Sequence, residues 1–435
     1  MFTQIGRRGA EVISFNRGLP CYPDYCLPSL AAIDKKGILL LGTEAGKHLS
    51  KDEWDSGMRR FKVVVAGKHD PAFIDIQTEE AFETYKEQKG CGDDLSAERL
   101  TAVYLAYAMH RCRLEIEKRE KFKDCEIDMA FNICMPIDHI ENNEVKAQFE
   151  RLFSWAEAIE SAWREEPEGF NPLDRSYALE STTIADVDRR VFAVPESVAS
   201  MVSYLISLEK REGLHAVIDL GAGTTDVSIC NIIMPSGEAR SCWFAASNIP
   251  RGAAGVERGL ASLVKELGRS SKCTQAEILK CLDCAPPRGG RPEGLSRREE
   301  LIKAIILREL RALRDSNDYR HTWRDAYSHL MKHSLWDNVQ VFLCGGGAGL
   351  PYADFVFSIP ALENIDGPYP VKRVPVPDDF GKGDNGIPFC RMCVAYGLAR
   401  PLPEFRDYAL PKDVGDHTPP PLPVLRLDHR DIYLE

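Results

Sequence analysis

The stretch Ala216–Asn231, AVIDLGAGTTDVSICN, constrains the fold of this chain more than any other. Val217 and Ile218 run into Asp219, Gly221 and Gly223 follow, then Thr224, Thr225 and Asp226, and the chain turns apolar again. Apolar runs on both sides of a glycine-rich break spell a β-hairpin. Its tip presents bare backbone, because glycine has no Cβ to hold a ligand away. Successive backbone N–H groups in such a turn make an anion nest suited to phosphate oxygens. Asp219, ending the first strand, is placed to face a hydrated divalent cation. The pattern is not GxxxxGK[ST], which opens a helix. Nor is it the dinucleotide fingerprint, since no helix follows the glycines. The plainer alternative is an ordinary antiparallel hairpin with a glycine turn.

Three further segments bear on that choice. Val341–Pro351, VFLCGGGAGLP, is an apolar run broken by Gly345, Gly346 and Gly347. Val194–Leu205, VPESVASMVSYL, reads as a helix opened by Pro195 and Glu196. Cys393–Leu398, CVAYGL, is a short helix of small residues. In chain order, Val194–Leu205, Ala216–Asn231, Val341–Pro351 and Cys393–Leu398 resemble the Glu-Pro helix, second phosphate motif, adenosine motif and closing helix of the actin, sugar-kinase and heat-shock-chaperone ATPase superfamily. The trailing DVSI of the first segment is most similar to the DnaK-type chaperone branch, and the resemblance covers roughly residues 10–400.

That resemblance implies an α/β, two-lobed actin-like ATPase fold, built from duplicated ribonuclease-H-like domains with a nucleotide cleft between the lobes. It implies lobe I over residues 1–195, with a small insertion over about 45–125, lobe II over 196–400, and a Pro-rich tail over 401–435. The implied cofactors are ATP or ADP and Mg2+. Asp219 would orient the attacking water, and Glu196 would help hold the metal's water shell. Gly221, Gly223, Thr224 and Thr225 would meet the phosphates, and Gly345, Gly346 and Gly347 would flank the nucleoside. The family's catalytic lysine falls near Phe61–Gly67, FKVVVAG, which proposes Lys62, with Lys68 as a competitor.

The N-terminus departs from the family. There the first strand ends in Asp-x-Gly followed by Thr or Ser, whereas this chain opens MFTQIGRRGAEVISFNRG. The next family strands resemble Glu11–Phe15, Leu27–Ile33 and Gly37–Gly42, so the first strand and its phosphate loop are expected to be missing, either because the start is called too late or because the protein lacks half its phosphate grip. Charge-assisted hydrogen bonds of the kind such a loop supplies contribute roughly 1.5–3 kcal/mol each. Losing several weakens the grip on ATP.

Between the motifs, helices are expected at Leu95–Arg119, Glu144–Glu160 and Ser296–Asp315, the last burying Leu301, Ile305, Ile306 and Leu310. Strict alternation of Ile127, Met129, Phe131, Ile133 and Met135 predicts a strand ending at Pro136. The 435 residues carry 44% hydrophobic and 28% charged side chains, so wholesale disorder is not expected. A net charge of −11 argues against nucleic acid as a partner. No apolar run reaches the ~18 residues of a membrane helix, and no secretory h-region opens the chain. A cytoplasmic protein with reduced thiols is expected.

Of the fourteen cysteines, Cys281–Cys284 and Cys390–Cys393 form CxxC pairs. Such pairs suit zinc, but small buried apolar roles are the commoner use. His329 and His333 share a helix face without the HExxH glutamate. Three readings stand. The first is a chaperone-like, slow Mg-dependent ATPase switching a protein partner or client. The second is a catalytically inactive nucleotide sensor or scaffold, and the third an actin-like filament-forming ATPase.

Overall fold

The computed structural model describes residues 2–4, 10–15, 23–49 except 37, 57–59, 61, 97–172 except 124, 126 and 128, then 176, 191–268 except 236–237, 272–286, 296–330, 335–362, 367–380, 388–400 and 408–414. Lys62, Lys68, His333 and most of the Pro-rich tail lie outside them.

The fold is mixed α/β. In chain order the N-terminal half runs β1 (Phe2–Gln4), β2 (Ala10–Val12), β3 (Leu30–Ile33), β4 (Leu39–Leu41), α1 (Gly42–Leu49), β5 (Met58–Arg59), α2 (Ala97–Glu117), β6 (Phe131–Met135), α3 (Ile137–Glu141), α4 (Asn143–Glu165), β7 (Val191–Pro195) and α5 (Glu196–Ile206). The C-terminal half runs β8 (Gly213–Leu220), β9 (Thr225–Ile233), β10 (Arg240–Ile249), α6 (Ala254–Gly268), α7 (Gln275–Asp283), α8 (Arg297–Arg314), α9 (Asn317–His329), β11 (Gln340–Cys344), α10 (Ala353–Phe357), β12 (Val371–Lys372), α11 (Cys393–Leu398), β13 (Tyr408–Ala409) and α12 (Pro411–Val414).

A six-stranded sheet of order β12-β11-β8-β9-β10-β13 organises the C-terminal half. β8, β9 and β10 form an antiparallel meander, and β11 runs parallel to β8. β8, β9 and β11 are buried almost throughout because both faces of the sheet are covered. Strand alternation splits the two cores. Leu214, Ala216, Ile218 and Leu220 pack against α6, α8 and α9. Val217 and Phe342 pack on the other side with α5 and α11, together with buried residues of α2 and α4.

A short strand precedes the Glu11–Phe15 segment: Phe2–Gln4 pairs antiparallel with Ala10–Val12 in a two-stranded sheet of its own. The segment joining them, Ile5–Gly9, lies outside the described residues. The alternating segment ending at Pro136 is a strand only over Phe131–Met135, where it runs parallel to β7. α8 forms where expected, capped by a reciprocal Ser296–Glu299 box. Its buried stripe is Ile302, Ile306, Leu310 and Leu313, whereas Leu301 is 37% exposed, so the expected face is rotated.

Candidate functional site

The site grows from one row of residues across the large sheet. Register places Asp219 of β8 directly opposite Asp226 of β9, Asp226 opposite Asn248 of β10, and Asp219 beside Cys344 of β11. Directly paired residues project from the same face, and this is the face covered by α5 and α11. All four side chains are buried. Asn248 donates its amide Nδ2–H to Asp226 Oδ1 at 2.9 Å, and its backbone N–H donates to Asp138 Oδ2 of α3 at 3.1 Å. Two buried carboxylates in directly paired positions repel each other, and a cation between or beside them offsets that repulsion.

The hairpin tip, Gly221–Thr224, closes one end of this row. The loop after β10 clamps it. Ala253 N–H and Ala254 N–H donate to the carbonyls of Gly221 and Ala222, each at 2.9 Å, and Thr225 Oγ1–H donates to Arg251 O at 2.7 Å. In a trans peptide the N–H points opposite to the C=O. With the Gly221 and Ala222 carbonyls pinned toward the start of α6, the N–H groups of Ala222 and Gly223 point away from it. Neither makes a hydrogen bond among the described residues. This is an aligned pair of donors beside Asp219, the arrangement an anion nest requires. The clamp depends on Gly252, where an added Cβ would lie 2.5 Å from Gly221 O and 2.7 Å from Ala222 O.

The glycine run after β11 meets the same end of the sheet. Gly345 adopts φ +80°, and its N–H donates to Cys390 O at 2.8 Å. A Cβ there would overlap Asp219 Oδ1 and lie 2.6 Å from Leu220 O. Gly346 and Gly347 begin a short 3-10 turn, Gly346–Gly349, in which Gly346 is exposed and Gly347 buried. Cys393, the first residue of α11, completes the floor. Its hydrogen bond with the Cys344 thiol, its burial and the negative charge of Asp219 together raise the Cys393 pKa well above the ordinary thiol value.

Glu196 opens α5, and two contacts fix the direction of that helix. Ser197 Oγ lies 2.8 Å from Ser228 Oγ on β9, and further along α5 Tyr204 Oη lies 3.2 Å from His215 Nε2 on β8. Ser228 pairs with Val217, nearer to Asp219 than His215 is. The N-terminus of α5, with half-buried Glu196, is thus directed toward the Asp219 end of the sheet. The positive end of the helix dipole points the same way.

The sequence-predicted residues Asp219, Gly221, Gly223, Thr224, Thr225, Gly345, Gly346 and Gly347 therefore share one end of the sheet, and Glu196 opens the helix directed there. Asp226 stands in the quoted motif, yet its role is visible only in register. Asn248, Asp138 and Gly252 carry no motif of their own and join through tertiary contacts. Among the described residues, no cluster of three or more His, Cys, Asp or Glu side chains is arranged to hold a metal directly. The carboxylate row suits a cation held through water, as Mg2+ commonly is. Among the described residues no helix is long and apolar enough to cross a membrane. No protein-family model and no curated protein sequence matches this chain.

Proposed function

We propose that this chain is a two-lobed actin-like ATP-binding module, most similar to the DnaK-type chaperone branch, that hydrolyses Mg-ATP slowly and switches a cytoplasmic protein partner. The observation that carries the reading is the pinned hairpin tip. The N–H donors of Ala222 and Gly223, unused among the described residues, are aimed away from α6 beside the carboxylate row of Asp219 and Asp226. Supporting it is the six-stranded sheet, an antiparallel meander β8-β9-β10 continued by parallel β11 and β12, which brings the hairpin tip and the glycine run after β11 to one end.

In this reading the nest and Thr224 bind the terminal phosphates. ATP supplies the phosphoryl group, and Mg2+ supplies charge neutralisation. Asp219 orients the attacking water, and Asn248 holds the Asp226 carboxylate in place through its amide. Glu196 orders water at the mouth of α5. The glycines after β11 keep the backbone low where a nucleoside would lie. Contacts between residues 1–195 and 196–400 then carry the switch: Asn248 N–H on Asp138, and Asn132 Nδ2–H on Leu398 O at 2.7 Å. Nucleotide-dependent closure about such contacts is hinge switching.

A second reading, a nucleotide sensor without hydrolysis, is favoured by one observation. The sequence between β1 and β2 is Ile-Gly-Arg-Arg-Gly and holds no acidic residue where the family has one. Phosphate release under single-turnover conditions separates the two. Release that is abolished in Asp219→Ala supports the ATPase. Tight Mg-ATP binding with no release above the uncatalysed rate leaves the sensor.

A further inference from the structure

A cavity lies in the outer helical layer, on the sheet face opposite the Asp219 row. It measures about 470 Å³ and is lined by Arg314, Asp315, Arg320, Arg324, Tyr327 and the segment 360–362. α9 turns Tyr319, Thr322, Trp323 and Ala326 into the core. Arg320, Arg324 and Tyr327 follow at i, i+4 and i+7, so they form one stripe flanking that buried face, with Tyr327 half-buried against the core. Arg314, half-buried in the last turn of α8, faces the stripe across the cavity.

The charge balance of this cavity is unusual for a chain of net charge −11. Asp315 engages Arg314 at 2.6 Å and Arg320 at 3.7 Å. Arg324 has no hydrogen-bond or ion-pair partner among the described residues. Three guanidiniums against one carboxylate leave two positive charges facing one space. A phosphate monoester carries about −1.5 to −2 at pH 7. Guanidinium forks match its oxygens in a planar, two-pronged geometry. The cavity is far larger than a phosphate ion and falls within the usual range for small-molecule sites. Tyr327 is held against Trp336, with ring centroids 5.4 Å apart, and with Pro360, Ala361 and Leu362 it supplies an apolar wall beside the arginines.

From this arrangement we infer that the cavity binds a phosphate monoester, with the phosphate on Arg314, Arg320 and Arg324 and the organic group on the Tyr327 wall. The site is independent of the nucleotide site, since it lies across the sheet from Asp219.

The test is calorimetric titration of the full chain, saturated with Mg-ATP, with phenyl phosphate in phosphate-free buffer. The expected result is saturable binding that weakens about tenfold or more in Arg324→Gln. Inorganic phosphate and benzenesulfonate should both bind more weakly, the first lacking the apolar group and the second carrying a single charge. Arg324 is exposed, so this variant folds as the parent does. A phosphotyrosyl peptide binding at least as tightly as phenyl phosphate identifies a protein-borne ester, and weaker peptide binding identifies a free metabolite. Absence of binding at millimolar phenyl phosphate, unchanged affinity in Arg324→Gln, or displacement by further Mg-ATP overturns the assignment.

Discussion

At the scale of single residues, the candidate site depends on two glycines as much as on its acids. Gly345 sits in the left-handed region, where a side chain is strained, and its Cα lies against Asp219. Gly345→Ala is expected to destabilise the fold by about 1–3 kcal/mol and to displace the Asp219 carboxylate, seen as a lower urea midpoint together with lost Mg-ATP binding. Gly252 is different, because its conformation is ordinary and only its proximity to the hairpin carbonyls matters. Gly252→Ala should push the tip off the start of α6 and turn the Ala222 and Gly223 donors aside. Binding of Mg-ATP should fall about tenfold or more while circular dichroism is unchanged, a loss of roughly one charge-assisted hydrogen bond. Unaltered affinity in Gly252→Ala would show that the clamp does not position the nest. Asp219 and the Gly-Thr-Thr turn are legible in the sequence, because a strand, a turn and a strand are contiguous there. Gly252, Asn248 and Asp138 are not, because each reaches the site through pairing or loop contacts that no local pattern encodes.

At the scale of elements, legibility follows how far local pattern fixes geometry. The β8–β9 hairpin is set by two largely apolar stretches flanking glycine, and α11 spans Cys393–Leu398 as read from its small residues. β1 leaves little trace in the sequence, because Phe2–Gln4 has a single large apolar residue and is defined by its backbone pairing to β2. α8 is recognisable as a helix, but its rotation is not. The run Leu301–Leu307 offers apolar side chains on several faces, and packing against α6 selects Ile302 and Ile306 over Leu301. The start of that helix is fixed locally. Ser296 Oγ accepts from Glu299 N at 3.3 Å, and Ser296 N–H donates to Glu299 Oε2 at 2.7 Å. Ser296→Ala should lower unfolding free energy by about 1 kcal/mol in urea denaturation. It should leave Mg-ATP affinity unchanged, since α8 packs on the sheet face opposite the Asp219 row.

At the scale of the whole molecule, a buried histidine ties α5 to the large sheet and sets an acid limit. His215 is 1% exposed. Its Nδ1–H donates to Gly213 O at 2.8 Å, since a carbonyl only accepts, and its Nε2 accepts from Tyr204 Oη of α5. Burial pushes its pKa down to about 4, against an ordinary value of 6.5, with the Gly213 bond opposing and Lys372 assisting. The unfolded chain therefore binds a proton that the folded chain refuses between these values. Stability from this group is full above pH 6.5, is lost as pH falls toward 4, and changes no further below. The limit is about 3 kcal/mol, since each tenfold weakening of proton affinity corresponds to ~1.4 kcal/mol. His215→Gln should be less stable at pH 7 yet lose less stability on acidification, measured by urea midpoints from pH 7 to 4. An equal slope in both proteins would remove His215 from the account. The central claim, that the pinned hairpin tip receives the terminal phosphates of a nucleotide, is tested most directly by titrating the chain calorimetrically with Mg-ATP and with AMP. The account predicts that Mg-ATP binds at least about tenfold more tightly than AMP, the contribution of one charge-assisted contact or more. Equal affinity for the two nucleotides, or no Mg-ATP binding at millimolar concentration, would contradict it.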